Sequence, residues 1–92
     1  MMTLLSHDDY TVIKEKAHLN ELFIDGAKVY EKNGLFYRIT LVNDLGGYML
    51  ECAESLDDAR KNFFEDLDVI SYDTDRQQLI SGIVTYLNSP DL

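Results

Sequence analysis

The stretch from Ala27 to Ala53, AKVYEKNGLFYRITLVNDLGGYMLECA, constrains this chain more than any other. Apolar and polar side chains alternate along it and two Gly-containing turns interrupt it, a pattern of period two that suits pleated strands and no helix. It predicts three antiparallel strands. Asn33-Gly34 marks the first turn, and the second lies within Asn43 to Gly47.

The register of the first hairpin follows from burial. A two-residue loop at Asn33-Gly34 would pair Tyr30 with Tyr37 and set Lys28 and Lys32 on the face of Leu35, Ile39 and Leu41. A three-residue loop, Lys32-Asn33-Gly34 with Gly34 left-handed, puts Ala27 and Val29 there instead. A one-residue slip exchanges every side chain between faces, so the reading with fewer charges inside is preferred. The inner face is then Val29, Leu35, Tyr37, Ile39, Leu41, Leu50 and Cys52. Lys28, Tyr30, Phe36, Arg38, Thr40, Val42, Met49 and Glu51 stand outside.

Helical signals flank this core. Ser6 and Asp9 have N-cap spacing, and Tyr10, Ile13 and Ala17 recur at helical intervals, so a first helix runs from near His7 to about His18. Leu19 to Asp25 continues it or forms a short extended lead-in, and Asp25-Gly26 stops either. Ser55 caps a second helix, with Leu56, Ala59, Phe63, Leu67 and Ile70 as its buried stripe and a break around Asp68 to Tyr72. On that reading Phe63 is a core residue. Thr74-Asp75-Arg76-Gln77 reads as a capping box for a third helix with Leu79, Ile80, Ile83, Val84 and Leu87 inward, ended by Asn88-Ser89-Pro90. The expected fold is α+β, one domain over residues 1–92: a three-stranded antiparallel β-meander packed with helices, in the order α-β-β-β-α-α.

Composition limits the function. At 92 residues the chain suits a single core, and 46% hydrophobic residues against 27% charged belong to a folded protein. Seventeen acids against eight bases give a net charge of −9. That disfavours direct contact with nucleic acid or anionic lipid, both of which recruit basic surface. No apolar run reaches the roughly 20 residues of a membrane span and the N-terminus lacks the pattern of a signal peptide, so a cytoplasmic location is expected. The single Cys52 falls in an apolar strand pattern and is assigned to the core.

Chemistry-bearing motifs are missing. His7 and His18, at the two ends of one helix, would lie roughly 16 Å apart at 1.5 Å per residue and share no substrate atom or metal. There is no CxxC or HExxH spacing. Asp66-Leu67-Asp68 and Asp73-Thr74-Asp75 do not continue into a calcium loop, and Gly46-Gly47 is a turn rather than a phosphate cradle. The sequence implies neither a cofactor nor an enzyme.

Charge distribution is what remains. From Glu54 to Asp75, eight acids face only Arg60 and Lys61, leaving −6 of the chain's −9 in one helix and the loop after it. Asp57, Asp58, Glu65, Asp66, Asp68, Asp73 and Asp75 are the candidate docking surface for a basic partner protein. Tyr30, Phe36, Arg38 and Met49 on the outer sheet face form an alternative interface, which a homodimer could use unless the first helix covers it. A minor enzyme subunit with a carboxylate site is the third expectation.

The helix–three strands–helix order is similar to the double-stranded-RNA-binding fold, but where that family carries a Lys-rich helix start this chain has Glu54-Ser55-Leu56-Asp57-Asp58, which contradicts RNA binding. In size, acidity and layout the chain resembles the small acidic inhibitor proteins of bacteria and phages, toxin-immunity proteins and DNA-mimicking anti-CRISPR proteins. That resemblance implies a non-enzymatic module that covers a basic site on a partner. It rests on layout and charge, with no motif matched residue by residue.

Overall fold

The computed structural model describes residues 3–89. The chain runs through α1 (His7–Lys16), β1 (Asn20–Ile24), β2 (Ala27–Lys32), β3 (Leu35–Val42), a 3-10 turn (Asn43–Leu45), β4 (Gly47–Ala53), α2 (Leu56–Arg60), β5 (Glu65–Ser71) and α3 (Arg76–Asn88). The strands form one antiparallel sheet in sequential order. The fold is α+β, and the expected three-stranded meander is overturned: the sheet has five strands and the order is α-β-β-β-β-α-β-α.

Two segments account for the difference. The first is the one read as a continuation of the helix or a short lead-in, which is β1. Helix α1 starts at its Ser6–Asp9 capping box, in which Ser6 Oγ accepts from the Asp9 amide and the Asp9 carboxylate accepts from the Ser6 amide. It ends where His18 turns left-handed at φ 58°, with the amides of His18 and Leu19 bonded back to the carbonyls of Glu15 and Lys14. That pair of bonds closes a helix end and releases the chain at a fixed angle. The chain then enters β1, and Asp25-Gly26 ends that strand as expected and joins it to β2 as a two-residue turn with both φ values positive, 52° and 81°.

The second segment is Phe63–Ile70, read as the rest of a helix. Only Leu56–Arg60 is helical, and Glu65–Ser71 is the edge strand β5. Where β4 passes from Leu50 to Glu51 the register of β5 shifts, so that Leu67 has no residue opposite it. This bulge resets the strand's alternation and lets Leu67 and Ile70, three residues apart, both pack on the helix-side core. Their spacing imitates a helix.

The hairpin register differs as well. Asn33 and Gly34 both have positive φ, 54° and 83°, Lys32 faces Leu35, and Tyr30 faces Tyr37. This is the two-residue turn, not the three-residue loop with a bulge. Tyr30 therefore belongs to the inner face and Val29 to the other. The two lysines it brings inward sit at the margins. Lys28 pairs with Glu21 at 3.1 Å, and Lys32 reaches the end of α3.

The sheet is covered on both sides. Helices α1 and α3 bury Ile13, Ala17, Leu79, Ile83 and Leu87 against Tyr30, Tyr37, Tyr48, Leu50 and Cys52. Each large aliphatic side chain so buried contributes about 1.5–3 kcal/mol. The two helices run parallel, tied at their starts by Asp9 and Arg76 and at their ends by Asn88 Nδ2 donating to the Lys16 carbonyl at 3.3 Å. On the opposite face α2 and Phe64 close a smaller core of Val29, Phe36, Ala53 and Ala59. Helix α3 starts one residue later than its expected capping box. Asp75, not Thr74, is the N-cap, accepting from the Gln78 amide at 2.9 Å, while Thr74 Oγ1 donates to the Ser71 carbonyl. Pro90, part of the expected stop, lies outside the described residues. Among the described residues no helix is long and apolar enough to cross a membrane.

Candidate functional site

The acidic stretch is built by a helix too short to hold it. Ser55 caps α2 by accepting from the Asp58 amide at 3.1 Å, and one turn later Asn62 adopts φ 62°. The Asn62 amide then bonds the Ala59 carbonyl at 3.1 Å and the Phe63 amide bonds that of Asp58 at 2.8 Å, the same double closure that ends α1. Asn62 also accepts from Arg38 Nη1 at 2.6 Å. The turn leaves Phe63 in solvent, 64% exposed, and drops Phe64 under the Arg38 guanidinium, which lies 3.7 Å from its ring centroid. The expectation that Phe63 is a core anchor is thereby reversed.

The seven acids are spread over three elements rather than one helix and its loop. Asp57 and Asp58 stand on α2, Glu65, Asp66 and Asp68 on β5, Asp73 in the turn after it, and Asp75 at the start of α3. Asp75 is committed as a cap, and Asp57 pairs with Lys61 at 2.9 Å. Asp68 Oδ1 accepts from the Val69 amide at 2.8 Å. Among the described residues Asp58, Glu65, Asp66, Asp68 and Asp73 make no ion pair. Asp66 even faces a second acid, Glu51, across the ladder. Like charges directly opposed cost stability. Here Glu51 is drawn back toward β3 by Arg38 at 3.1 Å and Thr40 Oγ1 at 2.8 Å.

Glu65, Asp66 and Asp68 also blunt an edge. Among the described residues strand β5 has its one strand neighbour in β4, and charges along such a strand discourage another strand from adding to it. Next to that edge, Glu54, Asp58 and Glu65 surround Phe63 in an open concavity of about 360 Å³ whose lining contains no Lys or Arg. Cys52 lies in its wall, 4% exposed, its thiol pushed up by burial and by the Glu54 carboxylate, so it stays protonated and unreactive near neutral pH.

The alternative interface is not a single surface. Tyr30 is buried beneath the helices at 3% exposure, and Phe36 is buried beneath α2 on the other side of the sheet. Arg38 is held by Glu51, Asn62 and Phe64. Only Met49 of the four is partly open without such ties, and it lies between Thr40 and Val69. Coverage by the first helix, the alternative to a free interface, holds for Tyr30, whereas Phe36 is covered by α2.

Asn62 is the residue that sequence reasoning missed. An Asn after a short run headed by Ser55 is a helix-stop signal of the same kind as Gly, and it would have placed Phe63 outside the helix. Among the described residues no three His, Cys, Asp or Glu side chains are set to hold a metal ion. No protein-family model, no curated protein and no solved structure matches this chain.

Proposed function

We propose that this protein is a non-enzymatic binding module that seats a basic partner protein on the acidic surface from Asp57 to Asp75, as an immunity-type or nucleic-acid-mimicking inhibitor would. The observation that carries the reading is Phe63, an exposed aromatic ringed by Glu54, Asp58 and Glu65. Protein interfaces combine an apolar, often aromatic centre with a polar rim. A rim of one sign selects a partner of the other and accelerates its approach.

The division of labour follows from the contacts. Among the described residues Asp58, Glu65, Asp66 and Asp68 make no ion pair that a partner's Lys or Arg would have to displace. Asp57 would first have to release Lys61, and Asp75 is engaged in its cap, which makes these two the weaker contributors.

A photo-crosslinking side chain at position 63, with the same group at exposed Thr11 on the far helix as control, tests the reading in cells. The expected result is one basic protein crosslinked from position 63 only, and lost when Asp58, Glu65, Asp66 and Asp68 are changed together to Lys in a chain that still folds. Identical capture from both positions, or capture that survives the charge reversal, would refute it.

A further inference from the structure

We propose that the gap between α1 and the middle of the sheet, walled by Tyr10, Lys28, Tyr30 and Ile39, binds a small monocarboxylate with a short apolar tail. The cavity is about 210 Å³, smaller than the 300–1,000 Å³ of sites for drug-sized ligands. It lies on the helix-covered face, away from the α2 and β5 surface of the proposed function and independent of it.

Its defining feature is the Tyr30 hydroxyl. Tyr30 is 3% exposed, and its buried hydroxyl has no hydrogen-bond partner among the described residues. Buried polar groups are nearly always satisfied, and one that is not calls for water or a ligand. Glu21 stands directly opposite Tyr30 across the β1–β2 ladder, and Tyr10 comes down from α1 on the cavity wall.

Donor chemistry dominates this site. Burial first, and then Glu21 and Tyr10, push the Tyr30 phenol up to about 12; burial, Tyr48 and Asp9 do the same for Tyr10. Both phenols therefore keep their protons at neutral pH and can donate. Lys28 Nζ lies 3.1 Å from Glu21 Oε1, which uses one of its three N–H donors and leaves the others for a guest. An ammonium beside two phenols suits a carboxylate, whose two oxygens accept several bonds at once. Ile39 offers an apolar wall for the remainder of the molecule.

The net charge of −9 does not forbid an anion here. The acidic edge β5 is three strands from β2, about 14 Å at roughly 4.8 Å per strand, whereas surface charges are screened over about 8 Å at physiological ionic strength. Glu21, opposite Tyr30, is paired with Lys28, and Asp9, next to Tyr10 on α1, is paired with Arg76.

Benzoate is a suitable probe and benzamide its neutral counterpart. Methyl and ring NMR at constant ionic strength should show saturable shifts of Ile39, Tyr10 and Tyr30 with a millimolar dissociation constant for benzoate and weaker binding of benzamide. Tyr30→Phe and Lys28→Met should each weaken benzoate at least about fivefold, the value of one hydrogen bond. Without ligand, Tyr30→Phe should leave Tm unchanged or raised, because it removes only an unpaired buried group. The proposal is overturned if these resonances do not saturate, if benzamide binds as tightly as benzoate, or if Tyr30→Phe alone lowers Tm by several degrees, which would mean that the protein or a fixed water already holds the hydroxyl.

Discussion

Lys32 reaches from the helix-facing side of β2 to the last turn of α3, where its ammonium lies 2.9 Å from Asn88 Oδ1 and 3.4 Å from the Leu87 carbonyl oxygen. A cation at a helix C-terminus satisfies a carbonyl that has no partner within the helix and opposes the negative end of the helix dipole. Lys32→Met keeps the apolar stem and deletes the contact. It should cost about 0.5–1.5 kcal/mol in urea unfolding, with most of the loss recovered by Lys32→Arg. Equal midpoints for all three proteins would show that the contact carries no stability.

The exposure of Phe63 gives a direct test of the α2–β5 boundary. With 64% of its surface in solvent, Phe63→Ala should shift the unfolding free energy by no more than about 0.5 kcal/mol. Leu79→Ala, at a fully buried position between α3 and the sheet, should cost about 2–5 kcal/mol. A Phe63→Ala loss approaching that of Leu79→Ala would place Phe63 in the core after all.

What the sequence disclosed and what it hid divide along physical lines. Local chemistry was readable. The Ser6–Asp9 box, the Ser55 cap and the turns at Asn33-Gly34 and within Asn43 to Gly47 are short-range signals, and each is present where expected. The register was not, because burial was assigned by counting charges per face. That count could not know that Lys28 would find Glu21 and Lys32 the end of α3. The helical reading of Leu67 and Ile70 failed because a bulge gives a strand the spacing of a helix. The acidic residues are a cluster in sequence that the fold spreads over three elements, and the placing of Asp58 and Glu65 beside an exposed Phe63 depends on Asn62, whose left-handed backbone ends α2 after one turn.

Alkaline pH should expose the tyrosine core. The phenols of Tyr10, Tyr30 and Tyr37 are each pushed up to about 12, first of all by burial. A phenol in the unfolded chain ionises near 10. Because the folded values are the higher ones, their contribution to stability is complete below pH 10 and is lost as pH rises through 12. Absorbance at 295 nm should therefore show a late group of tyrosines that ionise together with the loss of helical circular dichroism. If every tyrosine titrated near pH 10 while the fold persisted, these three phenols would not be shielded from water by the fold.

Asn62 does two jobs that can be separated. Its φ of 62° is a conformation that Gly adopts freely and Ala does not, and its Oδ1 accepts from Arg38 at 2.6 Å. Asn62→Gly removes the hydrogen bond and keeps the turn, whereas Asn62→Ala removes the hydrogen bond and strains the turn. The Gly variant should lose about 1–2 kcal/mol, as for a bond to a charged donor, and the Ala variant about 1 kcal/mol more. Losing Oδ1 also removes one anchor of a guanidinium that sits over Phe64 and bonds Glu51, so both variants should loosen the α2 side of the sheet first. Hydrogen exchange should then accelerate at residue 62 and Phe63, whose amides close α2, while Ile83 and Leu87 in α3 keep the protection of the global fold. Uniform acceleration across both faces would show instead that α2 unfolds only together with the whole domain.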